Sequence, residues 1–202
     1  MNVKKELLTK FNKSISNFTN LSNYSWFNLG GPAEFFFKPK NKDQLIDFLK
    51  ENLKYKLNVT ILGAGSNVLI RDNGIKGVVI KLGSGFSDIN LIDKETIIAG
   101  AASLDKKVSN FAKDHGIGNF EFLSCIPGSI GGAVVMNSGC YDYDISKVLL
   151  SINVIDINEA KEKEIKSDQI KFSYRGTNLP NGLIITSVKL KGSEKPKEII
   201  EK

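Results

Sequence analysis

The chain is poor in the residues that most often carry catalysis. Histidine occurs once, at His115, cysteine twice, at Cys125 and Cys140, and arginine twice, at Arg71 and Arg175, in 202 residues. His115 falls where a helix is expected to end, so it reads as a solvated C-terminal charge rather than a catalyst. The two cysteines have no partners at metal-ligand spacing, so no metal site is expected. They read as free, buried thiols rather than a disulfide. No apolar run approaches the roughly 18–20 residues a membrane span needs. The opening MNVKKELLTKFNK lacks the apolar core and small-residue site of a signal peptide, so a cytoplasmic location is expected. No GxxxxGK[ST] phosphate loop is present, nor any internal repeat or low-complexity tract.

The remaining composition is that of a soluble globular protein, with 41% hydrophobic and 25% charged residues. The net charge of +6 comes almost wholly from lysine. These lysines are scattered among Asn, Ile and Asp, which argues against a nucleic-acid partner and suits phosphorylated small molecules. Against that background the two arginines stand out, because a planar, bidentate guanidinium does what an ammonium cannot. Arg71, beside Asp72, reads as a paired surface charge.

The chain is organised around Phe122 to Gly139, FLSCIPGSIGGAVVMNSG. A strand-like apolar run stops at Pro127, and Gly128, Ser129, Gly131, Gly132 and Ala133 follow. So many small residues let backbone N–H groups approach something flat or anionic. AVVMN could then bury its side chains and hold this ligand loop in place. A second loop, Gly63-Ala64-Gly65-Ser66-Asn67, follows an apolar strand. Strand-GxG suggests a dinucleotide fold, but Val68 stands where the third glycine should be and VLI reads as strand rather than helix. The segment reads instead as a backbone nest able to hold a pyrophosphate.

In chain order, a short amphipathic helix is expected over 3–11, and AEFFF reads as a strand after the Gly30-Gly31-Pro32 turn. Asn41 caps a helix over 42–54. Strands follow over Val59–Leu62 and Val68–Asp72, the latter turning at Asn73-Gly74 as a hairpin into GVVIKL. Short strands at Ile89–Ile92 and Thr96–Ala101 precede a helix over 104–115 that Ser103 caps, with Leu104, Val108, Phe111 and Ala112 inward and Gly116 ending it. A strand over 148–157, a charged turn at Glu159–Lys166, a single turn capped by Ser167-Asp168 and a final strand Leu183–Leu190 complete the reading.

These stretches, from SWFNLGGPAEFFFKP through LGAGSNVLIRDNGIKGVVI and AGAASL to GNFEFLSCIPGSIGGAVVMNSGCY and FSYRGTNL, resemble the UDP-N-acetylenolpyruvoylglucosamine reductase family, from about Ser22 to Leu190. The resemblance implies an α+β, two-lobed FAD-binding domain of the vanillyl-alcohol-oxidase (PCMH) type. Its expected divisions are an N-terminal helix and lead-in over 1–21, lobe one over about 22–82, lobe two over about 83–192, and the start of a linker helix over 193–202. It implies that Gly63, Gly65, Ser66 and Asn67 hold the FAD pyrophosphate and that Pro127, Gly128, Ser129, Ile130, Gly131 and Gly132 line the flavin. FAD is expected to be non-covalent, NADPH the reductant, and the substrate a UDP-sugar enolpyruvyl ether. Arg175 matches the family's active-site arginine, and Tyr174 either assists it or packs as a core aromatic. Charge building on a carboxylate as hydride is added beside it suits a bidentate guanidinium.

The family also carries a third, substrate-binding domain with a proton-donating serine in a Gly-Ser-x-Phe-Lys-Asn-Pro-like motif and a late glutamate. That motif is absent from this sequence, so the chain reads as the FAD-binding portion of such a reductase, with impaired turnover. Cys125 stands where the family more often has a small residue. Two alternatives are another FAD oxidoreductase of the same superfamily and a non-catalytic flavin-binding fragment.

Overall fold

A computed structural model describes residues 3–200. Helix α1 (Val3–Lys10) turns Leu7 inward, and Phe11 just beyond it is also buried. Strand β1 (Ile15–Asn20) follows, within the stretch read from the sequence as lead-in, and pairs antiparallel with β2 (Pro32–Phe37). Phe35, Phe36 and Phe37 are all buried, as a continuous apolar run must be when both faces of a sheet are covered. Helix α2 (Lys42–Tyr55) starts where expected, because the Asn41 side chain accepts from the Gln44 N–H at 3.0 Å. Its end is held by Asn52, buried and bonded both ways to the Leu57 backbone, while Lys56 turns left-handed.

Strand β3 (Val59–Ile61) and β4 (Ile75–Ile80) complete the first sheet in the order β1-β2-β4-β3. Here the sequence reading needs correction. Val68–Asp72 joins no ladder, Asp72 already belongs to a turn, and Asn73-Gly74 is not a hairpin turn. β4 runs parallel to both β2 and β3, so the chain crosses over between them. The 68–72 segment is pinned by single contacts, such as the Gly31 N–H donating to the Arg71 carbonyl at 3.0 Å. No Arg71–Asp72 ion pair forms among the described residues.

The second half contains β5 (Ile89–Leu91), β6 (Thr96–Gly100), α3 (Asp105–Asp114), β7 (Ile117–Gly118), α4 (Ile130–Val135), β8 (Gly139–Cys140), β9 (Tyr143–Asp144), β10 (Leu149–Asp156), β11 (Lys161–Lys166), β12 (Phe172–Ser173), β13 (Gly176–Thr177), β14 (Leu183–Lys191), β15 (Ser193–Glu194) and α5 (Lys197–Ile200). Its main sheet has the order β11-β10-β14-β6-β5, antiparallel throughout. The charged stretch KEKEIK, expected as a turn, is the edge strand β11. Its alternating Lys and Glu side chains are exposed, which keeps an open sheet edge from pairing with another chain. The turn itself falls just before, where Ala160 is left-handed. The tail first pairs as β15 with β7, and only then begins the short helix α5; residues 201–202 lie outside the described residues.

Three apolar clusters hold these layers. α3 and α4 cover the second sheet through Val108, Ala112, Ile130 and Val134. A second cluster stacks Phe37 on Phe48, centroids 4.2 Å apart, with Phe11 edge-on to both, and reaches Ile155 and Ile184 of the second sheet. Truncating Phe48 to Ala should cost about 3–5 kcal/mol. The third, with Leu21, Phe36, Leu62, Ile70 and Val79, lies on the opposite face of the first sheet, Leu62 and Ile70 flanking Gly63–Asn67 in the chain.

Candidate functional site

Gly63–Asn67 leaves β3 at the C-terminal edge of the parallel strands and runs directly into the unpaired 68–72 segment. Gly65 is left-handed at φ +80°, and a Cβ there would come 1.9 Å from the Tyr24 carbonyl. Its own carbonyl accepts from the Trp26 N–H at 3.0 Å. Gly65 is therefore the residue that lets this loop close. Gly63 and Asn67 are exposed and Ser66 is half-buried, so the rest of the loop faces outward. The Lys81 ammonium, which sequence reading placed in a strand and left unassigned, donates to the Gly63 carbonyl and lies over the Tyr24 ring. Burial first, and then the neighbouring Lys38, lowers its pKa. An open groove of about 700 Å³ adjoins, lined by Tyr24, Lys38 and Lys40 among others.

The central loop follows a 3-10 turn, Glu121–Cys125, rather than the expected strand. Phe122 and Leu123 point into the core while Ser124 and Cys125 stay exposed, a pattern of period three that an apolar run does not distinguish from a strand. AVVMN begins in a helix: its first residues continue α4 from Ile130, with Ala133 and Val134 buried. Pro127 and Gly132 are exposed, Gly128 half-buried, and Ser129, Ile130 and Gly131 buried. The segment Ala101–Asp105 is laced to the loop. The Asp105 N–H donates to the Gly128 carbonyl at 3.1 Å, Ile130 N–H to Ser103 at 2.9 Å, and Gly131 N–H to Ala101 at 3.0 Å. Ser103 does not cap α3 as expected, because its hydroxyl donates to the Ser87 carbonyl, and Leu104 at the cap position is exposed rather than inward.

The two loops face each other across the lobes. A Cβ on Gly63 would approach the Ser129 hydroxyl to 2.8 Å, so the structure brings both predicted ligand loops to one place.

Tyr174 and Arg175 form the tip of the hairpin between β12 and β13. Arg175 is left-handed at φ +57° and exposed, its guanidinium 5.6 Å from the Tyr174 ring centroid. Tyr174 is 92% exposed, which removes the core-aromatic reading. The hairpin is tied to the central loop at two points. Thr177 donates to the Val135 carbonyl at 3.2 Å, and the buried Asn137 amide donates to the Ser173 carbonyl at 3.2 Å. Asn137 also bonds Asp144 and accepts from the Ser146 N–H, so one side chain joins α4, β9 and β12. Sequence reasoning passed over it as part of an apolar run.

The cysteines are free as expected but not buried: Cys125 is exposed and Cys140 half-exposed. Burial pushes the Cys140 thiol up, the adjacent Cys125 thiol adds to this, and the nearby Arg175 guanidinium opposes it. His115 ends α3, stacks on Phe111 and bonds the Phe111 carbonyl. No group of acidic, His and Cys side chains able to hold a metal exists among the described residues. Nor is any helix there long and apolar enough to cross a membrane.

The model of the FAD binding domain family matches residues 33–164. The chain is 46% identical over 200 residues to the UDP-N-acetylenolpyruvoylglucosamine reductase of Pelagibacter ubique (strain HTCC1062), covering 97% of itself and 66% of that protein. Its fold matches the crystal structure of UDP-N-acetylenolpyruvylglucosamine reductase (MurB) from Thermus caldophilus with a TM-score of 0.79 at 29% identity, over 93% of this chain and 64% of that one. The p-cresol methylhydroxylase structure, 14% identical, shares the fold with a TM-score of 0.68 over 95% of this chain and 42% of that one. The chain thus spans somewhat less than two thirds of the first two proteins. The expected α+β architecture of the vanillyl-alcohol-oxidase type is the one observed, and the chain belongs to the FAD binding domain family.

Proposed function

We propose that this chain is the FAD-binding portion of an NADPH-dependent reductase that converts a UDP-N-acetylglucosamine enolpyruvyl ether to UDP-N-acetylmuramate in the cytoplasm, a step of peptidoglycan precursor synthesis. The observation that carries the reading is the meeting of the two glycine loops, Gly63 against Ser129, with the Arg175 hairpin fastened to the second. The similarity to the Pelagibacter and Thermus reductases supports the substrate class.

The residues present fit FAD. Gly63, Gly65, Ser66 and Asn67, with the Lys81 ammonium on the Gly63 carbonyl, make a positively biased nest for a pyrophosphate. Pro127 to Gly132 offer backbone and little side chain, as a flat ring requires. Lobe one over about 22–82 supplies the first set and lobe two over about 83–192 the second. When bound, FAD supplies the redox chemistry, taking hydride equivalents from NADPH and passing them to the substrate's double bond. Arg175 holds the substrate carboxylate through two parallel hydrogen bonds and stabilises the charge that develops on it. Its exposure is consistent with a substrate approaching from solvent, and Tyr174 positions it by its ring. These 202 residues do not contain the Gly-Ser-x-Phe-Lys-Asn-Pro-like motif expected to carry the proton-donating serine, so we infer that turnover by them alone is slow.

The test is a visible absorption spectrum of the purified chain reconstituted with FAD, before and after anaerobic NADPH, and then with the enolpyruvyl UDP-sugar. Bleaching by NADPH with slow recovery on adding the UDP-sugar is expected, and Arg175→Lys should slow recovery by about 10²-fold or more. Recovery only with an unrelated alcohol or hydroxy acid would overturn the substrate assignment. Bound flavin that NADPH cannot bleach would identify a non-catalytic flavoprotein.

A further inference from the structure

Asp105, the first residue of α3, is 1% exposed, and neither carboxylate oxygen has a hydrogen-bond partner among the described residues. Buried polar groups are nearly always satisfied, so an orphaned carboxyl needs an explanation. This one is aimed at the central loop. A Cβ on Gly128 would come 2.5 Å from its Oδ2, and the Asp105 backbone N–H already holds the Gly128 carbonyl. Every other polar link between Ala101–Asp105 and the loop is made by backbone; only this side chain is left waiting.

We propose that Asp105 is a binding residue of the flavin site: FAD binding parts its carboxyl from Gly128, which covers it here, and the ionised carboxylate accepts a hydrogen bond from a donor on the flavin half, any proton it carried leaving for solvent. The inference rests on the reading of Pro127–Gly132 as the flavin cradle. The flavin half carries such donors, a ring imide N–H and the hydroxyls of its polyol chain, whereas the loop offers the carboxyl none that it uses. Without that donor, burial pushes the carboxyl up to about 7, and burial is the sole cause of the shift. The charged and titratable groups nearest it in the chain are Lys106 and Lys107 on α3, both exposed; of the elements packed on α3, the Glu121–Cys125 turn carries Glu121 and Cys125 and α5 carries Lys197. α4, β7 and the loop itself bring none. His115 sits at the far end of α3, about 15 Å along the helix.

Binding that requires the ionised form gains affinity as pH rises towards the free pKa and levels off above it. FAD affinity of the purified chain, read by flavin fluorescence, should therefore be about tenfold tighter at pH 8 than at pH 6. Calorimetry in buffers of different ionisation enthalpy should show proton release in the same range. Asp105→Asn should bind with a flat pH profile, Asp105→Ala should bind at least tenfold more weakly at pH 8, and His115→Gln should keep the wild-type slope. A flat wild-type profile, or a slope that survives in Asp105→Asn, would overturn the role of Asp105. Failure of the folded wild-type chain to bind FAD at any pH would overturn the flavin reading along with it.

Discussion

The two glycine loops do the same kind of work by different means. Gly63–Asn67 belongs to a mostly parallel sheet, leaves its strand without a helix to follow, and is closed by one left-handed glycine pressed on the Tyr24 carbonyl. Pro127–Gly132 contains no positive φ among its glycines and is held by a ladder of backbone bonds to Ala101–Asp105. The first loop depends on the conformation of a single residue, the second on packing against a neighbouring segment. Glycine is needed in the first for its dihedral angles and in the second for the closeness of what lies against it.

Substitutions can break this comparison, and the largest effect should come from the first loop. Gly65→Val combines a disfavoured left-handed conformation with a backbone clash, for a loss of about 3–5 kcal/mol. Thermal unfolding should show a midpoint lowered by about 10 °C. Gly63→Ala, by contrast, meets only the rotatable Ser129 hydroxyl, so the midpoint should move little while FAD affinity falls.

The second loop should show its dependence on packing through pH. Asp105 has its folded pKa raised above the usual carboxylate value, so the protonated form is the one that stabilises the FAD-free fold. That stability is complete below about pH 4 and is lost as pH rises to about 7, a change of roughly 3–4 kcal/mol. Denaturant unfolding of the FAD-free chain at pH 4.5 and pH 8 should reveal it, and Asp105→Asn should flatten it. An unchanged pH dependence in that variant would mean that the loop is stabilised elsewhere.

Smaller again is the effect of Asn137→Ala, which releases the Ser173 carbonyl, Asp144 and the Ser146 N–H together. About 2 kcal/mol of stability should be lost. The β12–β13 hairpin should then exchange its amide hydrogens faster than β10 or β14. Smallest of all, Arg175→Lys should leave stability within about 0.5 kcal/mol, because the side chain is exposed. Any reduction of the UDP-sugar should nevertheless collapse. A variant that lost stability instead would assign Arg175 to the fold.

Much of this was legible in the sequence, for local reasons. Asn41 announces α2, Gly116 ends α3, and the small residues of both loops mark backbone that something must approach. What was not legible depended on partners distant in sequence. Val68–Asp72 has the composition of a strand but finds no neighbour to pair with, and β4 bypasses it to pair in parallel with β2 and β3. KEKEIK hides a strand because its period-two signal is written in charges rather than in apolar residues. Ile130–Val135 is a helix of six residues, under two turns and too brief for a helical period to declare itself. Asp105, Asn137 and Lys81 are ordinary polar residues in sequence, and only the fold shows one orphaned against Gly128, one joining three elements and one lying on the Gly63 carbonyl.

The central claim is that the two loops make one FAD site. The direct measurement is a flavin-fluorescence titration of the purified chain with FAD, repeated on Gly63→Val and Gly131→Val variants shown to be folded by circular dichroism. One FAD per chain, with affinity lost in both variants, is the predicted result. Undiminished FAD binding in either folded variant would contradict it.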